Sequence, residues 1–312
     1  MTQRQSRRAL LTGLGGAGVG AMAGCLRLGD PESGTGTATS QSTGTETGTQ
    51  TESDGETDEQ PESSGETGTG GQTDTPAWAQ WIPSDPVVSG TAETFALDVQ
   101  GARAEFPQAE YERYEIQDIA DTFGIEQSDI DYLGGMERSD DSGLVFLTGT
   151  FDQDEIRSNL GVSESDTESY QGSTVYDGLA WGPDAIVTSN YQTVLDTRFG
   201  GTQSIDAAGT GWETLLSVVS SGTLSGVQSG SFVDSLSVSV PRSGIAINAA
   251  SGGGATITAH LMFDSESRAA EVFENNEDEI RADAPDADQT LESLEQQGKR
   301  IVFTVSSDTF EF

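Results

Sequence analysis

The sequence predicts an α+β fold of short, largely antiparallel strands and a few helices, carried behind a long disordered tether. Two observations support this prediction. Residues 29–75 contain no Val, Ile, Leu, Phe, Trp or Tyr, so they cannot bury enough apolar surface to offset the entropy cost of ordering. From residue 77 to residue 312, short alternating runs typical of half-buried strands are interspersed with helical patterns.

Residues 1–24 have the pattern of an export signal. Arg7 and Arg8 precede an uncharged, glycine-rich segment that ends at Gly24. A permanent membrane span needs about 20 strongly apolar residues, and glycine weakens a helix interior by about 1 kcal/mol relative to alanine. We therefore expect a removable signal peptide, and Arg7 with Arg8 resembles the twin-arginine type.

The only cysteine of the chain, Cys25, directly follows this segment. Met22, Ala23 and Gly24 in front of it resemble a lipobox, in which small residues admit a signal peptidase and the cysteine thiol receives a lipid. The alternative is an ordinary buried thiol. With Cys25 lipidated, the mature protein has no free thiol, which excludes disulfides, cysteine–metal sites and cysteine nucleophiles.

The chain is strongly acidic, with 52 Asp and Glu against 14 Lys and Arg and a formal net charge of −38. Because phosphate backbones are bound by clustered Lys and Arg, we expect no nucleic-acid partner. At molar salt the Debye length falls to about 3 Å, so an acidic surface of this density becomes tolerable and keeps the protein soluble. The composition predicts a protein of a high-salt environment.

The chain as a whole resembles the exported lipoproteins of haloarchaea. The resemblance rests on the signal, the lipobox, the Thr/Ser/Gly/Asp/Glu-rich tether over residues 25–76 and the acidic domain. The resemblance implies a location, the extracellular face of the cell membrane with a lipid on Cys25 as anchor. It implies no activity. The tether would hold the folded region off the membrane, with or without O-glycans on its threonines.

The folded region, residues 77–312, yields eight strand and five helix predictions. The strands are expected at Thr94–Val99, Leu144–Phe151, Ser173–Tyr176, Ala185–Thr188, Ser235–Val240, Gly244–Asn248, Ala255–Phe263 and Arg300–Val305. The helices are expected at Ile116–Phe123, Asp154–Leu160, Tyr191–Phe199, Trp212–Ser220 and Ser265–Ile280.

A short motif occurs twice and suggests two related halves, residues 77–205 and 206–312. In both copies a strand runs through Phe-Asp into a helix, at Phe151-Asp152 and at Phe263-Asp264. Both aspartates are well placed as helix N-caps, because a short side-chain oxygen there satisfies free backbone N–H groups. The alternative is that the capping rule alone accounts for the likeness.

Candidate chemistry is sparse, and we expect no enzyme and no cofactor. Any catalytic triad would depend on the single histidine, His260, which falls on the polar side of its strand beside Thr258 and Met262 and which we interpret as a structural or surface residue. Asp98 and Asp152 are the least surface-like carboxylates, and capping explains them better than glycoside hydrolysis. Phosphate-loop and dinucleotide fingerprints are absent, and residues 252–254, three glycines between two strands, predict a hairpin turn.

Two further groups of residues are possible ligand sites. None of the aspartate clusters matches the twelve-residue calcium loop, so we expect no specific metal site; they are Asp129 with Asp131, Asp140 with Asp141, and Asp283 with Asp286 and Asp288. The four tryptophans would suit sugar stacking but are more typical of core packing; they are Trp78, Trp81, Trp181 and Trp212.

These observations predict a non-enzymatic binding or interaction domain on the cell surface, whose partner is an envelope protein or a glycan. Two alternatives stay open. One is a structural envelope spacer without a small ligand, and the other is an extracellular hydrolase that uses carboxylates. A deep cleft with convergent acids and tryptophans would favour the hydrolase, and a flat or grooved apolar patch would favour the binding domain. The absence of both features would favour the spacer.

Overall fold

The alternating runs of the sequence become strands of one antiparallel sheet, and the fold is α+β as predicted. The computed structural model describes residues 75–138, 143–232, 238–250, 253–283 and 289–308. The predicted signal peptide, Cys25 and the tether up to residue 74 lie outside this part of the chain. All described residues belong to a single compact unit.

Twelve strands are present in the described residues. They are β1 (Ala92–Asp98), β2 (Ile130–Arg138), β3 (Gly143–Gly149), β4 (Glu168–Tyr170), β5 (Ser173–Tyr176), β6 (Leu179–Trp181), β7 (Ala185–Val187), β8 (Leu224–Ser229), β9 (Arg242–Ala249), β10 (Ala255–Met262), β11 (Gln289–Gln297) and β12 (Arg300–Ser307). The sequence predicts neither β2, β4, β6, β8 nor β11. A strand expected at Ser235–Val240 falls partly outside the described residues, and residues 238–240 are not in a strand.

Eight α-helices accompany the strands in the part of the chain that the structure describes. They are α1 (Ser84–Val88), α2 (Val99–Glu105), α3 (Gln108–Glu112), α4 (Ile116–Phe123), α5 (Gln153–Leu160), α6 (Tyr191–Arg198), α7 (Thr210–Val219) and α8 (Glu266–Asp283), and a 3₁₀ helix at Ala77–Trp81 precedes them. Helix α4 has the predicted bounds and α6 has the predicted start, and the other three predicted helices begin one or two residues away from the expected position. Val99 begins α2 and is not a strand residue, because Asp98 accepts a hydrogen bond from the Gly101 N–H and caps that helix.

Strand β2 escapes prediction because two glycines lie at its centre. A Cβ on Gly134 would lie 2.6 Å from the Phe146 ring, and one on Gly135 would lie 2.5 Å from the Phe95 ring. The glycines therefore let one aromatic ring pack against each face of the sheet. Because glycine has no side chain, these two positions interrupt the alternation of apolar and polar residues by which a strand is recognised in a sequence.

The strand order across the sheet is β11-β12-β10-β9-β8-β1-β2-β3-β7-β6-β5-β4. Read outward from the β1–β8 pair, the two sides have similar arrangements. The first half follows β1-β2-β3-β7-β6-β5-β4 and the second follows β8-β9-β10-β12-β11. In each, the last strand in the chain lies beside the third and the strands before it follow outward, and the first half has two more strands, β5 and β4, at its edge. A helix, α5 or α8, follows the third strand of each set. The predicted boundary near residue 205 falls between α6 and α7.

The two halves meet where β1 pairs with β8. Between the pairs Glu93–Gln228 and Ala96–Ser225, the hydroxyl of Thr94 takes the place of a backbone group. Its Oγ1 donates to the Val227 carbonyl and accepts from the Val227 N–H, both at 2.9 Å, and Thr94 is buried. The Thr94 side chain thus hydrogen-bonds the two halves together along the β1–β8 pair, which we call the seam.

Each face of the sheet has its own hydrophobic core. On the face that contains Phe95, hereafter the Phe95 face, α2, α4, α5 and α8 pack on strands of both halves. On the opposite face, hereafter the Trp81 face, the 3₁₀ helix, α1, α6 and α7 pack. Trp78, Trp81, Trp181 and Trp212 are all buried, which confirms that they are core residues.

The Trp81 face is covered differently in the two halves. In the first half, the Trp81 ring stacks on Phe146 of β3, with ring centroids 6.1 Å apart. In the second half, α7 packs on β8, β9 and β10, and Leu215 lies over Gly244. Val302 and Thr304 of β12, which alternate with residues of the other core, are only half-buried. The outer strands of the second half thus show a polar, partly open surface.

The Phe-Asp motif lies at the same junction in both halves, between the third strand and the helix, but its two aspartates do different things. Asp152 caps α5, as predicted, by accepting from the Asp154 and Glu155 N–H groups at 2.9 and 3.1 Å. The expectation that Asp264 caps α8 is wrong. Its carboxylate pairs with Arg242, and Ser265 caps the helix by accepting from the Arg268 N–H.

Candidate functional site

A cavity of about 460 Å³ lies beside the second copy of this motif. The first turn of α7, the start of β9, the end of β10 and the turn before β12 surround it. Three of its side chains, Arg242, Lys299 and Arg300, are basic, and Asp264 is the only acidic one. We call this site the basic cavity. Lys299 is the only lysine in the sequence.

Strand register brings the two arginines together. Arg242 of β9 and Arg300 of β12 are both paired with Met262 of β10, which lies between them. Because neighbouring strands are about 4.8 Å apart and directly opposed residues share a face, the two arginines flank Met262 on one face at a Cα separation of about 10 Å. Lys299 immediately precedes Arg300 in the tight turn after Gly298, whose φ is 59°.

Arg242 is wedged against the start of α7. A Cβ on Gly211 would lie 1.7 Å from its Nη1 atom, so only glycine leaves space for the guanidinium there. The guanidinium carbon is 5.9 Å from the Trp212 ring centroid, within the range of a cation–π contact. Nη2 donates to the Asp264 carboxylate at 2.5 Å. These contacts fix the position of one cation in the cavity wall.

Lys299 and Arg300 form no ion pair with any residue of the described chain. Most basic residues of this part do form one, for example Arg268 with Glu271 and Arg281 with Glu277. With 52 acidic residues in the sequence, carboxylate partners are abundant. Two cations left without a carboxylate are therefore the unusual feature of the site.

The first turn of α7 borders the cavity. A helix N-terminus carries about half a positive charge, and the preferred neighbour is an anion. Here Gly209 is the N-cap and contributes no side-chain cap, Glu213 is the acidic residue of the first turn, and the cation Arg242 lies alongside. Arginine beside a helix N-terminus is a like-charge arrangement, which the Asp264 carboxylate offsets in part.

His260 lies one row deeper on the same face, two residues before Met262. It is 6% exposed, so of the two interpretations, a structural or a surface residue, burial excludes the second. Burial, and secondarily the positive charge of Arg300, lowers the pKa of His260 to about 4. Its Nδ1 atom has no hydrogen-bond partner among the described residues. The neutral imidazole is consequently the form present near pH 7.

The buried serine nearest in the strand register is not placed to act as a nucleophile for this histidine. The buried Ser243 is paired with Leu261, a residue of the Phe95-face core, and so lies on the other side of the sheet from His260. A hydroxyl there cannot reach the imidazole to form a catalytic pair.

A second cavity, of about 670 Å³, lies beside the first copy of the motif and has the opposite charge. Its charged side chains are Asp129, Asp152, Asp154, Glu155 and Arg157. Several are engaged locally, since Asp152 caps α5 and Asp129 accepts from the Glu126 N–H. Within the described residues no group of three or more potential metal ligands converges.

The other predicted acidic clusters are only partly described. Residues 139–142 and 284–288 lie outside the described residues, which removes Asp140, Asp141, Asp286 and Asp288 from view. The export-signal and lipidation residues also lie outside: Arg7, Arg8, Met22, Ala23, Gly24 and Cys25. None of the described helices is long and apolar enough to cross a membrane.

Sequence reasoning does not find the basic cavity, because its residues come from four separate segments. Lys299 and Arg300 adjoin in the chain, but Arg242 is paired with them only through β10. The available signal is compositional: the only lysine stands next to an arginine in a chain with 14 basic residues. Comparison with known protein families, with curated proteins and with solved structures finds no match to this chain.

Proposed function

We propose that this chain is a non-enzymatic binding domain, held on the extracellular face of the cell membrane by a lipid on Cys25 and a flexible acidic tether. One observation carries the binding role. In a chain of net charge −38, three cations line a cavity and two of them have no carboxylate partner among the described residues. The positive charge of this site is opposite in sign to the net charge of the chain. A cavity with such a charge is suited to binding a ligand.

The alternatives receive less support. A hydrolase would need convergent carboxylates with solvent-accessible tryptophans, but all four tryptophans are buried and Asp152 is engaged in capping. A structural spacer would not need a positively charged cavity in a negatively charged chain. The surface formed by the half-buried Val302 and Thr304 is also consistent with a domain that binds a partner.

The binding role is tested by blocking the cavity. Thr214 is an exposed residue of α7 that lines the cavity, so Thr214→Trp should fill it with little effect on the fold. A panel of anions, neutral sugars and short peptides is screened by thermal shift in 1 M KCl. We expect at least one saturable stabiliser whose effect is lost in Thr214→Trp and kept in Ser221→Trp, a change of the same kind at an exposed position just after α7. No stabiliser, or equal loss in both variants, would favour the spacer.

The location is tested separately. Cys25→Ser should move the protein from the membrane fraction to the medium, and an unchanged membrane fraction would show that Cys25 does not hold it there. Replacing Arg7 and Arg8 with lysine should block export, since the twin-arginine route reads the arginine pair. Undiminished export would refute that route.

A further inference from the structure

We propose that the basic cavity binds a small dianionic oxyanion group of the phosphate or sulfate type, either as the free ion or on an organic molecule. The inference names the ligand class of the cavity and rests on the proposed function. It is argued from the charge, the donor geometry and the volume of the site.

Charge favours a dianion. Arg242 already has Asp264 as its counterion, while Lys299 and Arg300 have none among the described residues. Two uncompensated positive charges are matched by a ligand with two negative charges. A monocarboxylate would leave one cation unpaired.

The donors point to an oxyanion with several terminal oxygens. A guanidinium has five N–H donors in a fixed fork, and the Asp264 hydrogen bond uses one Nη atom of Arg242. Lys299 contributes a mobile point charge, and Arg300 contributes a second fork. Phosphate and sulfate groups present three or four oxygens in different directions, so donors from β9, the turn before β12 and β12 itself can bind the same group.

The volume leaves space for more than an ion. About 460 Å³ lies within the range of small-molecule sites, and a free sulfate or phosphate would fill a small part of it. Met262 and Phe263 give one side of the cavity an apolar lining. An organic body attached to the oxyanion would therefore contact apolar side chains while its charged group is held by the three cations.

The acidic surface sets the conditions for a test. With a net charge of −38, the protein as a whole repels anions at low salt. In 1 M KCl the Debye length is about 3 Å, so this distant repulsion is screened while direct contacts in the cavity persist. Binding is therefore measured by isothermal titration calorimetry in 1 M KCl at pH 7.5, with potassium sulfate, glycerol 3-phosphate and potassium acetate as probes.

We expect saturable binding of sulfate and glycerol 3-phosphate and much weaker binding of acetate. Tighter binding of glycerol 3-phosphate than of sulfate would assign the site to an organic oxyanion, and equal binding would assign it to the free ion. Binding of acetate as strong as that of sulfate would overturn the dianion assignment. Failure of both dianions to bind, while another ligand of the panel is lost in Thr214→Trp, would overturn this inference and leave the proposed function intact.

Substitutions locate the binding. Lys299→Gln, in an exposed turn that tolerates change, and Arg300→Gln should each weaken dianion binding about tenfold, because each removes one charge-assisted contact. Asp264→Asn should strengthen it several-fold by releasing Arg242. Arg281→Gln makes the same change of charge near the end of α8, outside the residues that line the cavity, and should leave the affinity within a factor of two. Equal losses in Arg281→Gln and Lys299→Gln would mean that only net charge matters.

Discussion

The two halves of the sheet have similar strand orders, apart from the two extra edge strands of the first half, but they differ in what covers the Trp81 face. Alignment on the Phe-Asp motif makes Phe146 of the first half equivalent to Thr258 of the second, and Thr148 equivalent to His260. Phe146 is buried beneath Trp81, whereas Thr258 is half-buried and lies within hydrogen-bonding reach of Thr304 on the next strand. The same scaffold thus supports an apolar core on one side and a polar surface beside a charged cavity on the other.

The difference teaches that topology and side-chain chemistry are separable here. Repeating the strand order fixes where a cavity forms, at the junction after the third strand. The residues at that junction then decide its charge: four carboxylates and one arginine in the first half, three cations and one carboxylate in the second. We therefore expect the functional site in the second half, where the charge of the cavity differs in sign from the net charge of the chain.

The largest expected effect on stability compares the Trp81 face of the first half, which is covered by the 3₁₀ helix, with the partly open Trp81 face of the second half. Trp81→Ala removes a buried ring that stacks on Phe146 and should lower the free energy of unfolding by about 4 kcal/mol. Val302→Ala removes two half-buried carbons on the open side and should cost about 1 kcal/mol. Denaturant titration in molar salt measures both. Similar losses in the two variants would mean that the open side is as tightly packed as the covered one.

The next effect is pH dependence in the second half. Because the folded-state pKa of His260, about 4, lies below the ordinary value of 6.5, the folded protein disfavours the protonated form. This contribution to stability is fully present above pH 6.5 and is lost as the pH falls toward 4, by about 3 kcal/mol in total. The difference in unfolding free energy between wild type and His260→Gln should shift by that amount between pH 7 and pH 4.

Nuclear magnetic resonance gives an independent measure, because the chain has one histidine and hence one imidazole titration curve. Arg300→Gln should raise the His260 pKa toward 6.5 without reaching it, since burial is the larger cause of the shift and Arg300 the smaller. A wild-type pKa near 6.5 would show that the imidazole is hydrated and that the second half is more open than described.

A smaller effect is expected at the seam. Thr94→Val keeps the side-chain shape but leaves the N–H and carbonyl of Val227 without their partner in a buried position. Loss of such hydrogen bonds should lower the unfolding free energy by about 2 kcal/mol. Thr258→Val, the same exchange at a half-buried position outside the seam, should change it by less than about 0.5 kcal/mol. If the two substitutions cost the same, Thr94 does not hold the halves together.

The smallest effect compares the two aspartates of the motif. Asp152→Ala removes the cap of α5 and should cost about 1 kcal/mol. Asp264→Ala removes a partly exposed ion pair with Arg242 and should cost less, because solvent screens such pairs. Thermal unfolding of both variants at one salt concentration makes the comparison. A larger loss for Asp264→Ala would indicate that the cations of the basic cavity depend on this carboxylate for stability.

Much of the fold follows from the sequence, and the misses have physical reasons. Strands with clear alternation, such as Ser173–Tyr176 and Ala255–Met262, and helix α4 with its apolar stripe are predicted from local pattern alone. Strand β2 is missed because its glycines serve aromatic rings from elsewhere in the chain, and β11 is missed because an edge strand with one face open to solvent reads as polar. Local patterns cannot report partners that are distant in sequence.

The candidate site is less predictable than the fold. Lys299 and Arg300 are visible as an unusual pair, but their meeting with Arg242 depends on β10 lying between β9 and β12. The role of Asp264 is misjudged for the same reason. A capping position is a local property, whereas the Arg242 guanidinium that binds this carboxylate comes from another strand and is a stronger, charged partner.

The pairing of β1 with β8 has a consequence for the history of the chain. These strands are the first of their respective halves, and they run antiparallel beside each other at the centre of the sheet. Equivalent strands in this relation are what a two-fold symmetric dimer of half-length subunits would possess, each subunit closing the other's sheet edge. Joining two such subunits in one chain would preserve the shared edge while freeing each copy to diverge, one toward packing and the other toward a ligand.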